Sequence, residues 1–215
     1  MSRASTPGLL VLHAVRLLGF ADLDAIAARA GTDGDTTLRG LRKAEDKGWV
    51  QHFTFAGLGG WSLTDAGRSE NERQLAAERR EADSHGIIPA TYRSFLPLNA
   101  RLVQAVTAWQ VKPADDDPLT PNDHEDYAWD SQVLDELAAI GTEVVPLVAQ
   151  LSDVLERFSG YQTRYKAALH RAVGGERDWI DTMTLDSCHR VWFQLHEDLV
   201  ATLGIDRHTE GADTQ

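Results

Sequence analysis

Thr36-Thr37-Leu38-Arg39-Gly40-Leu41-Arg42-Lys43-Ala44-Glu45-Asp46-Lys47-Gly48-Trp49-Val50 decides how the first third of this chain folds. On a helix, the apolar Leu38, Leu41 and Ala44 share one face and Thr36, Arg39, Arg42 and Lys43 share the other. Gly48 ends the helix. From Trp49 to Phe55 the residues are mostly β-branched or aromatic, which favours a strand. Ala56-Gly57-Leu58-Gly59-Gly60 reads as a turn and Trp61-Ser62-Leu63 as a short return strand. Thr64 then stands at the N-cap of a long charged helix running to about Ala82.

Working backwards, Leu9 to Leu18 is a helix apolar on most sides, so it is expected to be buried. Gly19 stops it. Asp22 caps a second helix, Leu23 to Ala30, which Gly31 stops. Helix, helix, helix, strand, turn, strand, helix is the order of a winged helix-turn-helix. Such a fold lays its third helix in the major groove, where each base pair shows a distinct set of donors and acceptors. Arginine reads guanine edges in a bidentate way, and threonine touches phosphate or a thymine methyl. Thr36, Thr37, Arg39, Arg42, Lys43 and Lys47 are therefore the candidate DNA contacts. Leu58, Gly59 and Gly60 are the candidate wing, and the wing carries no base. An ordinary solvated face, with Glu45 and Asp46 interspersed, would account for any one of these cations. It accounts less well for their clustering on this helix.

The 36–50 stretch resembles the recognition helix and following strand of MarR-like regulators. Gly60-Trp61-Ser62-Leu63-Thr64-Asp65-Ala66-Gly67-Arg68 resembles their wing exit and "Leu-Thr-x-x-Gly-Arg" helix start. The resemblance covers about the first third of the chain and implies a DNA-binding regulator. Its members usually place an Arg or Lys in the wing, which this chain lacks. A second resemblance covers about residues 90–207. It rests on Phe95-Leu96-Pro97-Leu98-Asn99, Thr107-Ala108-Trp109-Gln110, Asn122-Asp123-His124 and Asp186-Ser187-Cys188-His189 through Trp192 to Leu199. These are similar to a helical segment of actinobacterial proteins, found also at the ends of some phosphoenolpyruvate-utilising proteins. That likeness implies a family but no reaction.

The charge is uneven. Residues 1–80 sum to +1 and residues 81–215 to −13, out of a total of −12. A near-neutral front can meet a phosphate backbone through a local basic face, while an acidic back should be held away from it. Two domains follow: a winged helix at 1–83 with its linker helix, and an α-helical dimerisation or effector domain at 87–207, with 208–215 a disordered tail. Overall the fold is expected to be mainly α.

In the second domain the predicted helices are Pro89–Gln110, Trp129–Ile140, Glu143–Phe158, Tyr161–Val173 and Thr184–Leu203, with an acidic loop over 111–127. On the last helix Leu185, Cys188, Trp192, Leu195 and Leu199 form a packing seam. His189 and His196 lie about 10.5 Å apart along it, too far for one metal ion. Trp109, Asn122, Asp123, His124, His189, Trp192 and His196 are the candidate lining of a ligand pocket, although core packing and capping explain them more simply. Cys188 beside His189 does not make a catalytic pair, because helix neighbours point about 100° apart. No phosphate loop, nucleophile elbow or zinc-protease helix appears, so neither catalysis nor a cofactor or metal is expected.

A single cysteine excludes an intramolecular disulfide and fits a reducing cytoplasm. The run Leu9–Leu18 is too short to span a bilayer. The expected partners are double-stranded DNA, a second copy of the chain and a small-molecule effector. The competing expectation is a winged-helix interaction module that docks an enzyme instead of DNA.

Overall fold

The computed structural model describes residues 2–55, 58–113 and 117–205. The fold is mainly α with one small antiparallel sheet. Two compact units are present. The first holds residues 1–85, 154–157 and 197–215; the second holds 86–153 and 158–196.

In the first unit the order is α1 (Pro7–Leu18), β1 (Phe20–Ala21), α2 (Leu23–Ala30), α3 (Gly34–Asp46), β2 (Val50–Phe55), β3 (Leu58–Leu63) and α4 (Asp65–Ala82). This is a winged-helix arrangement. Side-chain caps open its helices, at Asp22 and Thr64 as expected and at Thr6 and Asp33 besides. Thr6, Asp22, Asp33 and Thr64 accept from Leu9, Ala25, Thr36 and Gly67 N–H groups respectively. The sheet order is β1-β3-β2, with β1 a two-residue strand that the sequence did not signal. The return strand is longer than expected. It pairs Phe55 with Leu58, Thr54 with Gly59 and Phe53 with Gly60, so Leu58, Gly59 and Gly60 belong to β3 and not to a turn. Ala56 and Gly57 lie outside the described residues. The core gathers Val11 and Val15 of α1, Ile26 of α2, Leu41 of α3, Val50 and Trp61.

Thr64 and Gly67 explain the "Leu-Thr-x-x-Gly" signature physically. The Thr64 hydroxyl donates to the Gly48 carbonyl at 2.6 Å, and Thr64 N–H donates to the Trp49 carbonyl at 3.0 Å. That carbonyl presses so close to α4 that a Cβ on Gly67 would lie 1.7 Å from it. Only glycine permits this approach.

Residues 87–207 do not form one continuous domain. Residues 154–157 and the chain from Glu197 onward cluster with the N-terminal segment. The reason is a buried ionic network. Arg157 donates to Asp198, to Glu78 of α4 at 3.1 Å and to Thr202 at 2.7 Å. His13 of α1 has Nε2 3.1 Å from Asp198 and Nδ1 3.1 Å from Asn71. Arg16 donates to Glu197 at 2.7 Å and Glu72 at 2.8 Å. Backbone bonds join Arg3 to Val154 and Glu156, and Leu9, Leu75 and Ala201 pack together.

The second unit contains α5 (Ile87–Gln110), α6 (Tyr127–Glu143), most of α7 (Val145–Val154), α8 (Tyr161–Val173) and the first half of α9 (Cys188–Leu203). The break expected between Ile140 and Glu143 is absent: α6 runs on through Gly141, where the Tyr165 ring packs against the place a Cβ would take, at 2.7 Å. The last helix starts at Cys188, four residues later than Thr184. Among the described residues one stretch, Tyr127–Val154, is long and apolar enough to cross a membrane by length and composition. Its helix is interrupted at Val144, and Val133, Leu137, Ile140, Val144, Val148 and Leu151 are buried, as in a core helix pair. The 208–215 tail lies outside the described residues.

Two measurements check this packing. Gly67→Ala should lower the unfolding free energy by about 3 kcal/mol or more, while the exposed Ser69→Ala stays within about 0.5 kcal/mol. Equal urea midpoints for the two would contradict the close approach. Burial raises the Asp198 carboxyl, but the Arg157 and His13 charges outweigh it and leave it well below the usual range. A depressed carboxylate stabilises the fold above its unfolded value, near 3.9, and loses that contribution as pH falls below it. Asp198→Asn should therefore start about 3–5 kcal/mol less stable near neutral pH and lose less on acidification than the native chain. Parallel stability-against-pH curves would refute this.

Candidate nucleic-acid interface

The surface of α3 follows from which of its residues the core takes. Thr37, Leu41 and Ala44 are buried. Opposite them, at 100° per residue, run Asp35, Arg39, Arg42 and Asp46, all exposed. Lys43 and Lys47 stand exposed along one margin, with Thr36 half-buried on the same side.

The helix start is rigid. The Asp33 carboxylate accepts from Thr36 N–H at 2.8 Å and from its hydroxyl at 2.7 Å. The Thr36 hydroxyl in turn accepts from Arg39 Nη2 at 2.9 Å. These bonds, the backbone one foremost, hold the Asp33 carboxyl below its ordinary range. Arg39 is thereby fixed over the first turn of α3.

Thr37 is a correction. It is fully buried, donates to the Asp33 carbonyl at 2.8 Å and shares a 2.7 Å bond with Thr32 Oγ1. It lies 100° round from Thr36, on the side of Leu41, so it holds the turn and cannot touch a ligand. Leu38, placed in the core by its apolarity, is only half-buried.

Lys43 and Lys47 border a cavity of about 490 Å³ between the start of α1, α3 and α4. Lys47 sits 4.2 Å over the Trp49 ring. Glu70 and Arg73 of α4 stand on the same wall, and a bidentate bond to Arg73 above all holds the Glu70 carboxyl down at about 2.

No family model, no curated protein and no solved structure matches this chain.

The residues expected to line a ligand pocket in the helical region fall into separate places. Trp109, Asn122 and His124 do meet. The His124 and Trp109 rings are 4.4 Å apart, and Asn122 donates to the Trp109 carbonyl and to Asp130, both at 3.0 Å. His124 Nδ1 lies 3.0 Å from Asp130, with its backbone at φ 61°. Asp123 faces solvent and caps Glu125 N–H. Trp192 and His196 belong elsewhere, both against Phe95, with ring separations of 4.9 and 5.6 Å. The Trp192 indole donates to Asn99 at 3.0 Å, and the cavity beside it, about 10 Å³, holds at most one water. His189 joins neither group. Burial, against the pull of Asp181, lowers its imidazole. Five of these seven residues thus fall into two separate packing clusters, Asp123 and His189 into neither, and together they do not form one pocket. Among the described residues no group of three or more His, Cys, Asp or Glu could hold a metal. Burial pushes the Cys188 thiol up to about 12, which keeps it protonated and unreactive.

Sequence reasoning missed the buried ionic network and the cavity. The network left one trace: His13 and Arg16 interrupt an otherwise apolar helix three residues apart, on adjoining sides of α1. Polar groups on a buried helix need partners, and theirs lie 56 to 185 residues away in the chain.

Proposed function

We propose that this chain is a winged-helix, DNA-binding transcription regulator that presents the outer face of α3 to the major groove, as its MarR-like sequence signature suggests. The observation that carries this reading is the exposed pair Arg39 and Arg42 on the third helix of a winged helix, with Arg39 pre-positioned by Thr36. Arginine in that position reads guanine edges or clamps phosphate. Asp35 and Asp46 share the face and weaken its potential. Among the described residues no Lys or Arg lies on β2 or β3. Affinity per copy should accordingly be modest, and a dimer on two half-sites would bring it into a useful range.

A second reading is a winged helix used for protein contacts. It is favoured by the same acidic residues and by Phe20 and Phe53, each 50% exposed, with the Phe20 ring packed over Gly60, the strand partner of Phe53. An enzyme, such as a phosphoenolpyruvate-utilising protein, would be the partner in that case.

Salt separates the two. Fluorescence anisotropy with duplex DNA from upstream of the gene should show binding that weakens steeply as salt rises. Arg39→Ala with Arg42→Ala should cost about 2–4 kcal/mol in that binding and flatten the salt slope. No binding at low salt, or an unchanged double variant, would overturn the DNA reading.

A further inference from the structure

A groove of about 290 Å³ lies between α5 and α6, inside the second unit. Arg101, Ala105 and Ala108 of α5 recur at steps of four and three, and Trp129, Val133 and Glu136 of α6 do the same. Each set therefore lines one face of its helix. Two alanines on α5, where larger side chains would fill the space, leave the hollow open. Ala105 and Val133 are buried and make an apolar floor. The Trp129 indole donates to the Ala108 carbonyl at 2.7 Å, which fixes the ring in the wall. Gln104 and Gln132, one from each helix, stand exposed in the lining. Neither carboxamide has a hydrogen-bond partner among the described residues. The charges, by contrast, are taken. Arg101 donates to Glu136 at 2.7 Å and to Glu143 at 2.8 Å. Lys112 donates to Asp126 at 2.7 Å, and its ammonium stands 5.9 Å from the centre of the Trp129 ring.

We propose that this groove binds a neutral, planar heterocycle with a hydrogen-bond donor and an acceptor on one edge, of the size of nicotinamide or a nucleobase. The ring packs on Trp129 over the alanines. Gln104 and Gln132 hold the polar edge, since a carboxamide both donates and accepts. An anion finds no free cation there: Arg101 and Lys112 are already paired, and Glu136 in the lining repels it. A cation meets Lys112 over the same ring. The volume is at the lower end of the range for small-molecule sites, so it suits one or two fused rings. The groove lies wholly within the second unit, so the proposal stands apart from whether α3 meets DNA.

Isothermal titration of the full chain, without DNA, tests the site and its ligand class together. Nicotinamide or adenine should bind saturably with a Kd of about 1 mM or tighter. Three relatives of nicotinamide test the chemistry. Nicotinate is an anion, 1-methylnicotinamide is a cation, and N,N-dimethylnicotinamide has lost both amide donors. Each should bind at least about tenfold more weakly than nicotinamide. Gln104→Ala with Gln132→Ala should weaken the bound heterocycle by about tenfold. The melting temperature should stay unchanged, since both side chains are exposed and alanine suits a helix. Ala108→Leu, which fills the groove from the α5 side, should abolish binding. The proposal fails if neither nicotinamide nor adenine binds, if any of the three relatives binds as tightly as nicotinamide, or if either variant keeps full affinity.

Discussion

The buried contact of Arg157 with Asp198 is the constraint on which the first unit depends. Two opposite charges, each almost wholly removed from water, are stable there only because further polar groups complete them. Glu78 and Thr202 share the guanidinium, and His13 shares the carboxylate. Those partners come from α1, α4, the segment after α7 and the end of α9. One ionic knot therefore gathers four distant pieces of chain around the winged helix. Removing any one charge would strand the others in a dry interior, which costs far more than the pair contributes. Arg16 with Glu197 and Glu72 repeats the device one turn along α1.

This knot explains why the chain's boundaries differ from a simple two-part division. Helix periodicity, caps and glycines placed α1 to α4 and most of the later helices, because each of those signals is local. The Thr64 cap and Gly67 were legible for the same reason, although the Trp49 carbonyl that demands the glycine was not. What joins residue 13 to residue 198 leaves almost no local pattern. Glu197 and Asp198 resemble an ordinary charged pair beside an apolar seam. The break expected between Ile140 and Glu143 is absent for the complementary reason: Gly141 there answers to the Tyr165 ring, 24 residues on, and not to backbone freedom.

The candidate interface was partly legible. Arg39 and Arg42 stand where the helical pattern puts them. Thr37 does not, because a threonine four residues past the N-cap serves the turn when its hydroxyl finds the Asp33 carbonyl. Lys43 and Lys47 could be placed on the polar side of α3 from sequence. That they also border a cavity could not, since its other walls come from α1 and α4. The winged helix is thus a scaffold with two adjoining surfaces: an arginine face with interspersed acids, and a lysine-edged hollow.

The claim that α3 meets DNA is tested most directly at the arginine side chains themselves. Nuclear magnetic resonance of the isotope-labelled full chain can follow each Nε–Hε signal as duplex DNA is added at low salt. The account predicts that the Arg39 and Arg42 signals shift and broaden first, and that the exposed Arg171 of α8 stays put. Unmoved Arg39 and Arg42 signals in the presence of bound DNA would contradict it.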